Sequence, residues 1–222
     1  MKEAYAAIVI AAGLSKRMGM FKPLLEIGGK PALFHLLDSI RESGIETTMV
    51  VTGHERSLIE EAVNRYAESH GCSRLADNPN TGYWLLTVNN EEYKSGMFGS
   101  VKTGLSSAAE MPIKAALLFP ADVPLVSEKT IAGLIRIWEQ QAESPFAVPV
   151  YEGRNGHPLL IPAKYFDEIL SYKGEGGLKG VRSLYDECMI RYETRDAGCV
   201  LDIDTPEDYA KILEFYKKPV IR

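Results

Sequence analysis

The sequence predicts an α/β fold in three layers, a mostly parallel central sheet with helices on both faces. Three observations lead there. Short apolar runs, such as Ile8 to Ala12 and Lys114 to Pro120, read as buried strands. Between them lie segments whose apolar residues recur with helical period. The chain of 222 residues, 45% hydrophobic and 25% charged, is long enough for one full core, whereas two independent domains would be cramped. Residues 1–222 are therefore expected to form a single domain.

Taken in order, Ile8 to Ala12 is the first strand. Pro31 then sits as an early helical residue, Leu33, Leu36, Leu37 and Ile40 follow at i, i+3, i+4 and i+7, and Gly44 ends the helix. Thr48 to Thr52 is the second strand. Ser57 is expected to open a further helix, with Glu60 completing a capping box and Ile59, Val63 and Tyr66 on one face, until Gly71. Turn formers from Asp77 to Gly82 predict a loop, and Tyr83 to Val88 a strand. Lys114 to Pro120 delivers Ala121-Asp122-Val123-Pro124 just past a strand's C-terminal end. Ser127 then caps a helix to about Gln140, with Glu128 in its first turn. Phe146 to Val150 and Pro158 to Ile161 are strands around the turn Glu152 to Gly156, and a Gly-rich loop from Gly174 to Gly180 precedes a short helix. Thr205 starts the last helix, with Pro206 at its first position and Asp208 three residues after the cap.

A net charge of -5 argues against broad binding to nucleic acid or to an anionic membrane, which needs a surface excess of Lys and Arg. Cys72, Cys188 and Cys199 are odd in number and lack CxxC spacing, so neither a disulfide framework nor a structural zinc site is expected. The apolar run from Ala6 to Ala12 is too short for a membrane span and lacks the order of a signal peptide, so the expected compartment is the cytoplasm.

Chemistry concentrates in the loop after the first strand, Ala11-Ala12-Gly13-Leu14-Ser15-Lys16-Arg17-Met18-Gly19-Met20-Phe21-Lys22. Glycine lets backbone N–H groups approach phosphate oxygens, and Arg17 and Lys22 add charge-assisted bonds. The spacing of Gly13 and Gly19, with no Lys-Ser/Thr after the second, excludes a Walker A loop and a dinucleotide fingerprint. Asp122 stands at the mouth of the sheet, the usual ligand crevice of open α/β folds. On its own, an Asp between prolines more often belongs to a turn.

The loop resembles the signature of the molybdenum cofactor nucleotidyltransferases, the guanylyl- and cytidylyltransferases of the MobA-like fold, whose pattern is roughly L-A-(A/G)-G-x-S-x-R-M-G-x-x-K. Only the first Leu is replaced, by Ile10. Pro120 to Pro124 is similar to the family's D-x-P element, and Leu201 to Tyr209 to its D-I-D-T-P-E-D element. Tyr93 to Leu105 is similar to a G-M-x-x-S stretch of the cytidylyltransferase branch, and Arg154 to Pro158 to its G-H-P element. These pieces span residues 8 to 209. The segment Asp77 to Leu86 departs from the family as a longer link, which leaves the acceptor open.

The resemblance implies a Rossmann-like nucleotidyltransferase fold. It also implies Mg²⁺-dependent transfer of CMP, with GMP second, from an NTP to the phosphate of a molybdopterin-type acceptor, with release of pyrophosphate. Ala11, Ala12, Gly13, Leu14, Ser15, Lys22 and Ser100 would bind the nucleotide. Arg17, Lys22 and Asp122 would be catalytic, and Asp122 and Asp204 would hold the metal, with Asp202, expected two residues away on the same strand face, a weaker candidate. Gly96, Met97, Gly156 and His157 would meet the acceptor, while His35, His54 and His70, without such context, are expected on the surface or on helix faces. A molybdenum hydroxylase apoenzyme is a further candidate partner. Two alternatives remain open at this stage: a sugar- or polyol-phosphate acceptor for the same chemistry, and a non-catalytic protein that binds and hands on a cofactor.

Overall fold

The structure, a computed structural model, describes residues 4–13, 19–72, 83–143 and 145–217. Strands β1 (Tyr5–Ile10), β4 (Thr47–Thr52), β5 (Trp84–Asn89) and β6 (Ala115–Pro120) pair in parallel. The hairpin β2 (Glu26–Ile27) and β3 (Lys30–Pro31) stands apart. Beyond β6 come β7 (Ala147–Tyr151), the short β8 (Arg154–Asn155), β9 (Leu159–Pro162) and β10 (Ile190–Glu193), giving a main sheet in the order β10-β7-β9-β6-β1-β4-β5 with β8 attached to β7. β10 runs parallel to β7, while β9 runs antiparallel to both β6 and β7. The sheet is thus mixed and mostly parallel.

The helices are α1 (Ala32–Glu42), α2 (Arg56–His70), α3 (Met97–Ala109), α4 (Glu128–Glu139), α5 (Phe166–Ser171), α6 (Gly177–Ser183) and α7 (Pro206–Lys217). Side chains of a strand alternate between faces, so one apolar strand serves two cores. Ala7, Val9, Leu117 and Phe119 pack with Leu36, Ile59 and Leu134 of α1, α2 and α4. Ile8, Ala116 and Leu118 face the other way, onto Val101, Leu105, Phe166 and Val181 of α3, α5 and α6. The three layers follow directly. Gly104 brings α3 close against β1, since a Cβ there would lie 2.4 Å from Ile8 Cγ2. A small third cluster, Ile27, Ala32, Ile203 and Ile212, holds α7 to the hairpin.

Four local expectations are corrected. Pro31 is the residue before α1, inside β3. Helix α2 begins at Arg56, after Glu55 in a left-handed conformation (φ 51°), and no side chain caps it. Ser57 therefore lies within the helix, and Glu60 accepts a 2.6 Å bond from Arg56 Nε instead of closing a capping box. The glycines from Gly174 do not all precede the next helix, because α6 starts at Gly177. Residues 201–204 are not a strand; Ile203 N–H donates to the Asp122 carbonyl at 2.9 Å, and Asp202 is exposed. The last helix follows its sequence closely. Thr205 N–H and Oγ1 both donate to Asp208 Oδ2 (3.1 and 2.9 Å), and Asp208 N–H returns a bond to Thr205 Oγ1. The segment Asp77 to Gly82 lies outside the described residues.

Candidate active site

The site grows from the C-terminal ends of β1 and β6. Ile10 pairs with Pro120 across these parallel strands, so the chain leaves both at the same edge of the sheet. Ala11 and Ala12 remain buried, Ala11 N–H donating to the Val51 carbonyl (2.9 Å) and Ala12 accepting from His54 N–H (3.5 Å). Gly13 then emerges exposed, with open space where a side chain would be. Leu14, Ser15 and Arg17 lie outside the described residues.

Lys22 opens a single 3-10 turn, with Pro23 directly after it. Its ammonium reaches Asp204 Oδ1 at 2.6 Å and Asp122 Oδ2 at 3.4 Å. Asp122 arrives two residues past β6, and Asp204 immediately before Thr205, the cap of α7. The Ile203-to-Asp122 backbone bond ties the two segments together. Burial pushes the Asp122 carboxyl above its ordinary range; the Lys22 charge and hydrogen bond pull it back, and the Asp202 charge raises it further. Two carboxylates thus surround one ammonium, with Asp202 as a third carboxylate nearby.

Ser100 is 2% exposed, and its Oγ accepts a 2.9 Å bond from Asn90 Nδ2. That bond links the first turn of α3 to Asn90, the residue after β5. Gly96 precedes α3 in a left-handed conformation (φ 116°), and Met97 after it is 64% exposed. Met97, Gly156 and His157 come together along a cavity of about 210 Å³ floored by Ile10, Leu118 and Leu159. Gly156 is required there, since a Cβ would sit 2.6 Å from the Cys199 carbonyl oxygen. His157 N–H donates to that same carbonyl at 2.8 Å. Its Nδ1 is buried without a hydrogen-bond partner among the described residues. Burial, and then the Arg182 charge, push the imidazole down to about 4, so it is neutral near pH 7. A second cleft of about 170 Å³, lined by Asp122, Asp202, Arg154 and Asn155, shares Pro120 and His157 with the first. The carboxylate cluster and the apolar cavity are therefore neighbours.

The other histidines divide. His35 is buried on α1, its Nε2 2.8 Å from the Ile27 carbonyl. His70 stacks on Tyr66 on α2. His54 is neither on a helix nor remote: it lies between Phe21 and Tyr93, beside Ala12. His54 and Asn90 lie close to the candidate site, and spacing did not single them out. The available signal was position, since His54 and Asn90 follow the ends of β4 and β5 at the same edge of the sheet.

Residues 7–191 match the family described as the MobA-like NTP transferase domain. The chain is 25% identical to the molybdenum cofactor cytidylyltransferase of Escherichia coli K12, over 94% of this chain and 95% of that one. It is 27% identical to the purine catabolism protein PucB of Bacillus subtilis 168, over 91% and 92%. Among solved structures, a nucleotidyl transferase from Methanothermobacter superposes with a TM-score of 0.74 at 19% identity, over 96% of this chain and 97% of that one.

Proposed function

The chain belongs to the MobA-like NTP transferase domain family, and from that premise we propose that it transfers CMP from CTP to the phosphate of a molybdopterin-type acceptor, releasing pyrophosphate. The observation that carries the reading is the meeting of Lys22, Asp122 and Asp204 at one edge of the sheet, beside the apolar cavity. An acceptor phosphate oxygen, already ionised near neutral pH, forms the new bond to the α-phosphorus. The bond to the β-phosphate oxygen breaks, and pyrophosphate leaves with that electron pair. No side chain needs to become covalently attached. Positioning and charge stabilisation supply the acceleration.

The donor set suits a divalent cation. Both carboxylates reach a single ammonium, so they are close enough to share one ion, and carboxylate oxygen is the ligand chemistry Mg²⁺ prefers. No group of three His, Cys, Asp or Glu able to hold a metal occurs among the described residues, so the protein's part of the site would be these two carboxylates. Such an ion, when bound, would neutralise phosphate charge as it develops. Asp122 and Asp204 would hold it. Lys22 would pass from the carboxylates to the phosphates, the amide of Gly13 would face the triphosphate with those of Leu14 and Ser15, and Arg17 would add a second positive charge. The preference for CTP rests on Ala11-Ala12-Gly13 and on the cytidylyltransferase relative. We further propose that residues 1–222 work as one domain in the cytoplasm and pass their product to a molybdenum hydroxylase apoenzyme. No helix among the described residues is long and apolar enough to cross a membrane.

The test mixes protein, Mg²⁺, CTP or GTP, and a molybdopterin acceptor, and follows pyrophosphate. Asp122→Ala is expected to lower turnover by about 10²- to 10³-fold, the scale of one lost charge-stabilising group. Full turnover in that variant would refute the metal assignment.

A further inference from the structure

The cavity beside the carboxylate cluster has a composition that selects its occupant. Its floor and walls are apolar, from Ile10, Leu118, Val148 and Leu159, and no Ser, Thr, Asn, Gln, Asp or Glu lines it among the described residues. Two cations from α6, Lys179 and Arg182, complete it. We propose that α6 is the acceptor clamp: Lys179 and Arg182 hold an anionic group of an acceptor whose flat ring system lies with its face on the floor of the cavity.

Arg182 is half-buried, and among the described residues no carboxylate lines the cavity beside it or pairs with it. A guanidinium in that position is completed by an anion from outside. His157 lines the same cavity, and its Nδ1 is buried without a hydrogen-bond partner among the described residues; such atoms ordinarily belong to a ligand or water. The imidazole, held neutral by burial and by Arg182, offers one N–H and one lone pair to a heterocycle. A polyhydroxylated sugar would lose the hydration of its hydroxyls against this floor and find few partners in return, whereas a planar ring gains by burial. The clamp rests on the nucleotidyl-transfer reading and refines it, assigning specificity against sugar phosphates to residues the signature motifs do not include.

The experiment is calorimetric titration of the full chain, without nucleotide, using 1-naphthyl phosphate and glucose 1-phosphate as probes. Wild type is expected to bind the aryl phosphate and not the sugar phosphate at the same concentrations. Arg182→Gln should weaken the aryl phosphate by about tenfold or more, the effect of losing one charge-assisted contact, and Arg182→Lys should recover part of it. Lys179 is exposed, so Lys179→Gln provides a variant with little risk to folding and should show a several-fold loss. In turnover, the same variants should raise the acceptor KM and leave the CTP KM unchanged. The clamp is overturned if wild type does not bind the aryl phosphate, if glucose 1-phosphate binds as tightly, or if both glutamine variants bind like wild type. Aryl phosphate binding without pyrophosphate release would sink the proposed reaction and leave the clamp standing.

Discussion

Lys22 touches two carboxylates that lie 100 and 182 residues further along the chain, so a single side chain reports the convergence of three segments. Asp122 is held there against its own preference, because burial disfavours its charge more than Lys22 supports it. A neutral replacement should therefore stabilise the fold while lowering turnover. In metal-free buffer at pH 7, Asp122→Asn is expected to raise Tm, read by thermal denaturation; a lower Tm would mean that the Lys22 contact outweighs the burial. His157 has the opposite sign of coupling to acid. Its folded value of about 4 lies below the ordinary 6.5, so the unfolded chain takes up the proton first and stability is lost as pH falls from 6.5 toward 4. His157→Gln should remove that component, up to about 3 kcal/mol between pH 7 and 4, seen as a shallower fall of stability in urea titrations across the series. An unchanged slope would show that the ring is protonated inside the fold.

Among the elements, those with a strong local signal were legible. α4 begins where Ser127 stands, its Oγ accepting from Thr130 N–H at 3.2 Å, and α7 begins with the Thr205–Asp208 box. The start of α2 was not legible, because it follows a left-handed Glu55, which is not a cap signal. α3 went unread as a helix for another reason. Its glycines and serines dilute the apolar period, and Gly104 is where the helix packs against β1 at short range. Gly104→Ala tests that packing. The gain in helix propensity is about 1 kcal/mol, whereas a Cβ 2.4 Å from Ile8 and 3.1 Å from Val51 causes overpacking that costs about 1–3 kcal/mol. Overpacking should win, and urea denaturation should report a net loss of about 1 kcal/mol. A gain would mean that α3 can move away from the sheet.

At the scale of the whole molecule, the parallel strands β5, β4, β1 and β6 bring loops from distant parts of the chain to one edge of the sheet, with the cavity on one side of Pro120 and the carboxylates on the other. A ligand that binds only this assembled edge must stabilise the whole fold. With Mg²⁺, CTP at about one hundred times its dissociation constant should add about 2.7 kcal/mol, and a thermal-shift panel of CTP, GTP, ATP and UTP should place CTP first. A larger shift with another nucleotide would reassign the base. The sequence by itself determined the three-layer class and the candidacy of the loop ending at Lys22, of Asp122 and of Asp204, because these depend on periodicity and on motifs contained in short segments. Only the tertiary structure decided that Lys22 bridges those two carboxylates, that Ser100 bonds to Asn90, and that Lys179 and Arg182 share a cavity with His157. Each of these is a contact between segments far apart in the chain, and sheet order, not local spacing, determines which of them meet.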